Sequence, residues 1–233
     1  MVIGAGHAGI EAALALTRTG LDTVMLTLNL DSIGFMPCNP SVGGTAKGHL
    51  VREIDALGGQ MGVTADKCAL QVRMLNAGKG AAVQSLRAQV DKDKYHREMK
   101  RVLDHTNHLR ILQGEAAEIL TTAGEVPRVV GVRTTYGGII DCKAVIVATG
   151  VYLNAQTVTG EEEKACGPNG FERATALTQS LLKLGHTVRR FKTGTPARLD
   201  GRTIDYTVLE RQDGENVYPF SFLHRSVPKA QTP

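Results

Sequence analysis

The chain has 233 residues, 42% of them hydrophobic and 21% charged, and a formal net charge of +4, enough to bury a sizeable core in one large or two small domains. Its longest apolar runs, such as Ala144 to Ala148, fall far short of the roughly 18–20 residues that span a bilayer, and Met1-Val2-Ile3 meets glycine without the features of a signal peptide, so a cytoplasmic location is expected. Four widely spaced cysteines without a C-x-x-C argue against a zinc cluster or disulfide scaffold, and 4% aromatics with no tryptophan argue against a base-stacking surface.

In chain order, Met1 to Ile3 reads as the end of a strand, Gly4 to Gly9 as a turn and Ile10 to Arg18 as an Ala/Leu-rich helix stopped at Gly20. Asp22 to Thr27 reads as a second strand. This is the opening β-α-β of a dinucleotide-binding sheet. Only three residues precede Gly4, fewer than a buried parallel strand has, so a trimmed N-terminus is expected. Residues 28 to 48 form a long loop rich in Gly, Pro, Asn and Ser, of a length that is usually functional. A helix over His49 to Leu57 ends at Gly58-Gly59.

Leu70 to Leu75 reads as a strand, and Ala81 to His105 as a helix or broken pair of helices with a solvated charged face at Lys92-Asp93-Lys94 and Arg97-Glu98. From Arg110 the period becomes two, with short strands at 110–112, 116–121, 128–134 and 138–141, a β-meander. Lys143 to Gly150 is then a continuous apolar strand ending in a small-residue turn. That order is typical of flavoproteins with two dinucleotide-binding domains. Beyond it come an acidic Glu161-Glu162-Glu163, a turn at 167–170, a helix over Glu172 to Leu184 and a strand over Thr187 to Phe191.

Gly4-Ala5-Gly6-His7-Ala8-Gly9 fits G-x-G-x-x-G between strand and helix, where glycines let the backbone approach a pyrophosphate at the helix N-terminus. His7 either faces the cofactor or is an exposed turn residue. Thr27 stands where an acidic residue would bind ribose, which makes FAD a better ligand of this loop than NAD. In Phe35 to Gly48, Pro37 and Pro40 stiffen the chain, while Gly34, Gly43, Gly44 and Gly48 would allow close approach to a planar ligand. Cys38, in that loop, reads as a redox or nucleophilic group or as a small buried filler. Lys47 is followed by Gly48, so the spacing of a P-loop fails and nucleoside triphosphate binding is excluded. Lys192, Arg198 and Arg202 make a basic loop that is either a phosphate contact or solvated.

Four separate signatures then resemble the GidA family. They are Gly6 to Ala13 (GHAGIEAA), Cys38 to Gly44 with Lys47 to Gly59 (CNPSVGG and KGHLVREIDALGG), Arg73 to Asn76 with Lys79 to Val83 and Arg87-Ala88-Gln89, and Lys192 to Arg198 (KTGTPAR). The resemblance covers nearly the whole chain. It implies an FAD-dependent enzyme that builds an aminomethyl-type group on carbon 5 of the wobble uridine of tRNA, with a GTPase partner, MnmE. Methylene-tetrahydrofolate would give the carbon and NADH the electrons. It further implies that Gly4, Ala5, Gly6, His7, Ala8 and Gly9 hold the FAD pyrophosphate, that Ala116 is a further FAD position, and that Cys38 is one of two catalytic cysteines. A family FAD-contact serine corresponds to Ala174 or Thr175. Ala81 and Ala197 stand where the family has proline.

The expected fold is therefore α/β, a Rossmann-like FAD-binding domain of glutathione-reductase type over residues 1–152. It is followed by the start of an inserted α+β, NADH-binding domain over 153–233. By the same resemblance the return half of the FAD domain and a helical domain lie outside this chain, the full-length enzyme is a homodimer, and the isolated piece is expected to be impaired. Two other enzymes compete: a folate- and FAD-dependent tRNA uridine methyltransferase, which lacks the Cys38 to Gly44 loop, and a general FAD oxidoreductase. The latter would carry an acidic residue near Thr27 or a C-x4-C pair, and neither is present. A non-catalytic binding or assembly module is the remaining alternative.

Overall fold

β1 (Val2–Ile3) runs through a glycine turn into α1 (His7–Arg18), which returns to β2 (Thr23–Thr27). The computed structural model describes residues 1–227 and 231–233. After β2 come β3 (Ser41–Gly43), α2 (Lys47–Ala56), α3 (Met61–Cys68), β4 (Ala69–Leu75), β5 (Ser85–Val90) and α4 (Lys92–Asp104). These are followed by β6 (Leu109–Gln113), β7 (Ala116–Thr121), β8 (Val129–Thr134), β9 (Ile139–Asp141), β10 (Ile146–Val147), β11 (Thr157–Thr159), β12 (Glu162–Lys164) and α5 (Leu177–Lys183). Two compact units result, Met1–Phe35 with Met99–Phe191, and Met36–Glu98 with Lys192–Pro233.

In the first unit, β10, β1, β2 and β6 lie side by side in that order, all parallel, with Val2 opposite both Ile146 and Met25. Val2 and Met25 are fully buried, as parallel strands covered on both faces require. α1 buries Gly9, Ile10, Ala13, Leu14 and Thr17, one stripe at helical spacing, and stops where Gly20 adopts φ +79°. β7, β8 and β9 form an antiparallel meander. α5 is fastened to it by a buried hydrogen bond from the Ile119 amide to Ser180 Oγ, 2.9 Å. Ile3 and Leu26 of the parallel sheet share one apolar cluster with Ala116, Ile119 and Val132 of the meander and Leu177 and Leu181 of α5. Burial of these side chains, each contributing about 1.5–3 kcal/mol for the larger ones, joins the three elements.

The second unit is built on an antiparallel sheet with β5 between β3 and β4. Leu86, Ala88 and Val90 are buried on one face of β5. The tail of the chain runs along β4: the Glu215 and Thr232 amides donate to the Val72 and Leu70 carbonyls at 2.8 and 2.9 Å. That covers an edge which would otherwise present unpaired backbone groups.

The parallel opening and the meander agree with the expected α/β class, and several local readings change. Residues 85–90 are a central strand, not helix: Leu, Ala and Gln favour helix weakly, and pairing on both sides overrides that preference. α3 has no counterpart among the expected elements, and β6 pairs in parallel with β2 instead of belonging to the meander. The helix expected from Glu172 begins only at Leu177, and residues 187–191 form no strand, with Phe191 90% exposed and Val188 40% exposed. The compact units meet in the chain at 35/36, 98/99 and 191/192, and α5 packs on β7 within the first of them. Among the described residues no helix is long and apolar enough to cross a membrane.

Candidate functional site

The turn after β1 is shaped by three glycines with different duties. Gly4 has φ +106° and its amide donates to the Leu26 carbonyl of β2 at 2.8 Å. A Cβ on Gly4 would lie 2.2 Å from the Ala148 carbonyl oxygen just past β10, and one on Gly9 would lie 1.9 Å from the Gly4 carbonyl oxygen. Both glycines are thus demanded by packing within the protein. Gly6 differs: its φ is −75° and a Cβ there would meet no atom of the described residues within 4 Å. The space over Gly6 is therefore open to a group from outside the described residues.

Gly6 is the N-cap of α1, and the first hydrogen bond of the helix runs from the Ile10 amide to the Gly6 carbonyl at 2.9 Å. The amides of Ala8 and Gly9 therefore precede the helical ladder. Together with the positive end of the helix dipole they make a place for an anion beside exposed Gly6 and Ala8. Ala5 is buried and His7 partly so. A dinucleotide pyrophosphate fits this arrangement: open space over Gly6, backbone donors and no acidic side chain in the first helical turn.

Other expected positions gather at the same end of the parallel sheet. The Gly114 amide donates to the carbonyl of Thr27, the last residue of β2, at 2.8 Å, and Ala116 starts β7 two residues later. Glu115 Oε1 accepts the Thr175 and Ala176 amides at 2.6 and 3.1 Å, which brings the segment carrying Ala174 and Thr175 to Ala116. Ala116 is 4% exposed, so a ligand would meet its backbone more than its methyl group. Thr175 is exposed and Ala174 buried. At the tip of β2, Thr27 is buried and its hydroxyl donates to the Asn29 carbonyl at 3.2 Å.

Cys38 belongs to the second unit. It is partly exposed, with its Sγ 3.7 Å from the Gly194 carbonyl. Its loop is fixed by the Val90 amide donating to the Pro40 carbonyl at 2.8 Å. The expectation that Gly43 leaves room for a planar ligand is corrected by the packing. A Cβ on Gly43, at φ +96°, would lie 2.2 Å from the Leu86 carbonyl oxygen and 2.5 Å from the Phe220 ring. The glycine serves the approach of β3 to β5. Arg202 of the basic loop is engaged by Asp200, two residues earlier, at 2.6 Å, which lowers the Asp200 pKa and raises that of Arg202.

Two buried carboxylates belong to no motif that sequence reasoning singles out. Asp66 accepts the Phe220 and Ser221 amides at 2.8 Å each and pairs with His224 Nδ1 at 2.8 Å. Asp55 accepts the Phe222 amide at 2.8 Å. A sequence signal exists for one of them: Asp55 lies one helical turn after Val51, on the face α2 buries. Among the described residues no cluster of three or more His, Cys, Asp or Glu is arranged to hold a metal ion.

The comparisons with known proteins agree with one another. A family model described as "Glucose inhibited division protein A" matches residues 1–233. The chain is 56% identical over 225 residues to the tRNA uridine 5-carboxymethylaminomethyl modification enzyme MnmG of Lachnoclostridium phytofermentans, covering 96% of this chain and 35% of that protein. It is 53% identical over 234 residues to the enzyme of the same name from Caldicellulosiruptor saccharolyticus, covering 100% and 37%. Among solved structures, Aquifex aeolicus GidA superposes with a TM-score of 0.93 at 46% identity, over 99% of this chain and 39% of that one. A GidA-related protein from Thermus thermophilus, at 22% identity and TM-score 0.54 over 79% of this chain and 67% of that one, shares the fold. The chain thus spans little more than a third of the length of the curated relatives it matches.

Proposed function

Because the chain belongs to the family of glucose inhibited division protein A, we propose that it is the flavin-binding part of an FAD-dependent enzyme that modifies the wobble uridine of tRNA. The observation that carries the reading is the glycine turn. Gly4 and Gly9 are needed by the fold, Gly6 is not, and Gly6 stands over the free start of α1. A side chain at Gly6 would take the space that a phosphate-bearing ligand at the helix start would use.

In this reading the backbone amides at Gly6 to Gly9 bind the pyrophosphate of FAD, and Ala116, with Thr175 beside it, borders the nucleoside portion. FAD, when bound, supplies hydride chemistry, with NADH as reductant and methylene-tetrahydrofolate as carbon donor. The chain's own contribution is to hold and orient the cofactor. Cys38 is assigned a catalytic role at the substrate base, consistent with a partly exposed thiol on a fixed loop. The whole enzyme would act on tRNA in the cytoplasm, as a homodimer with the GTPase MnmE. An α/β dinucleotide-binding core is common to many oxidoreductases, so the tRNA substrate rests on the printed activity of the relatives, not on the sheet.

The test is a titration of the chain with FAD followed by quenching of flavin fluorescence, with NMR of the Ala8 and Gly9 amides. Weak binding that shifts those amides at high flavin concentration is expected; flavin that binds and leaves them unmoved would remove the basis of the assignment. Restoring modified wobble uridine in cells lacking the enzyme, using the full-length protein that contains this chain, tests the activity separately.

A further inference from the structure

Arg73 on β4 stands directly opposite Arg87 on β5, in register, with Gln71 opposite Gln89 one pair further along the same face. Like charges opposed across two strands destabilise a sheet. These side chains line a cavity of about 400 Å³ within the second unit, together with Asn76 and Glu215. Two guanidinium groups therefore face one carboxylate. Glu215 lies 3.4 Å from Arg73 Nε through one oxygen, while its other oxygen is taken by the Met74 amide at 2.9 Å. Gln71 is held by the Gln212 and Thr232 carbonyls at 2.8 and 3.2 Å. Arg73 Nη1 is buried and has no hydrogen-bond partner among the described residues. A buried guanidinium N–H without an acceptor is unfavourable, and a second cation opposite makes it more so.

We propose that this cavity is an oxyanion-binding site, in which Arg73 and Arg87 grip the carboxylate or phosphate group of a small ligand. A planar fork of donors suits either group, and an added negative charge would relieve both the like-charge pair and the unpartnered N–H. The volume exceeds what a bare oxyanion fills, so the gripped group is part of a larger molecule. Glu215 bounds the site on one side and limits its net charge to that of one excess cation. The site is independent of the flavin reading, since none of its residues belongs to the glycine turn.

The chain is titrated with inorganic phosphate and, separately, with acetate, at ionic strength held constant with sodium chloride. Thermal denaturation and the arginine Nε–H signals in NMR are followed. The expected result is a concentration-dependent rise in Tm with at least one anion, and movement of the Arg73 and Arg87 signals but not that of exposed Arg110. Whichever probe binds more tightly identifies the ligand group as phosphate or carboxylate. Arg87→Gln should leave the unliganded Tm equal or higher, because repulsion is removed, and should weaken anion binding about tenfold or more. Glu215→Gln should strengthen it. If Arg87→Gln does not fold, the Nε–H shifts of the unaltered chain decide alone. Arginine signals that stay in place with both anions overturn the proposal, as does an Arg87→Gln chain that keeps the full anion-induced rise in Tm.

Discussion

A Cβ on Gly9 would lie 1.9 Å from the carbonyl oxygen of Gly4, so the first turn of α1 can sit against the end of β1 only if position 9 has no side chain. Gly9→Ala must push helix and strand apart, and Gly4→Ala adds a left-handed backbone to a clash with Ala148. Each should lower stability by about 2–4 kcal/mol in urea unfolding. Gly6→Val, with open space and an ordinary φ, should cost about 1 kcal/mol or less. FAD affinity should nevertheless fall at least about tenfold in Gly6→Val, since a side chain there occupies the place of the pyrophosphate. Equal flavin titrations for Gly6→Val and the unaltered chain would remove Gly6 from the site.

The Asp66 carboxylate holds the turn from Phe220 to His224 through three acceptor contacts. Asp66→Asn places an amide NH2 where an oxygen received a backbone N–H, and leaves at least one buried donor unanswered. A loss of about 2–4 kcal/mol is expected. Asp55 holds one amide among the described residues, that of Phe222; in Asp55→Asn the carbonyl oxygen can turn toward that donor, and the loss should be about 1 kcal/mol. Urea midpoints of the two variants check the order. Reversal would mean that Asp55 carries the tail.

How much of this is readable from sequence follows from which forces act locally. The turn from Gly4 to Gly9, α1 and the strand at 116–121 follow from glycine placement and period alone, and they carry the candidate flavin site. Residues 85–90 do not read as a strand because Leu86-Arg87-Ala88-Gln89 has helical preference, and its strand state comes from β3 and β4, to which it is tied by pairing on both sides. The role of Gly43 is hidden for the same reason: the obstacle is the carbonyl of Leu86, on a different strand. The burial of Asp55 can be read from its place one turn after Val51, but what Asp55 and Asp66 hold cannot, because their partners lie beyond residue 219. A family resemblance locates Cys38 but says nothing of the Gly194 carbonyl beside its sulfur.

Cys68 is 1% exposed, and burial pushes its thiol from the ordinary value of 9.0 up to about 11, Lys94 opposing the shift. The folded state therefore favours the protonated thiol. Its contribution to stability is complete below about pH 9, where the unfolded thiol is also protonated. It is lost as the pH rises through about 11, because the unfolded chain releases the proton first. The loss approaches about 2–3 kcal/mol. Measured as the difference between the unaltered chain and Cys68→Ala, which cancels other groups that titrate there, stability should decline between about pH 9 and 11. A difference independent of pH would mean that Cys68 is solvated.

Cys38 sits in a different setting. Its sulfur is partly exposed, and among the described residues its hydrogen-bond contact is the long one to the Gly194 carbonyl, 3.7 Å. Serine is close to isosteric and can donate to the same carbonyl, so Cys38→Ser should move Tm by about 2 °C or less. Cys142 has its thiol pKa raised by burial and should react more slowly than Cys38 with an alkylating reagent at about pH 8, and Cys68 slowest of the three. Mass-spectrometric mapping of alkylation on the folded chain gives that order directly. In the full-length enzyme, Cys38→Ser should abolish wobble-uridine modification, because a hydroxyl is a far poorer nucleophile than a thiol-derived sulfur at neutral pH. The loss of activity without loss of stability is what separates a catalytic sulfur from a packing one. An active Cys38→Ser enzyme, whatever its stability, would take Cys38 out of the chemistry and leave it as part of the support for the loop that Pro40 ties to Val90.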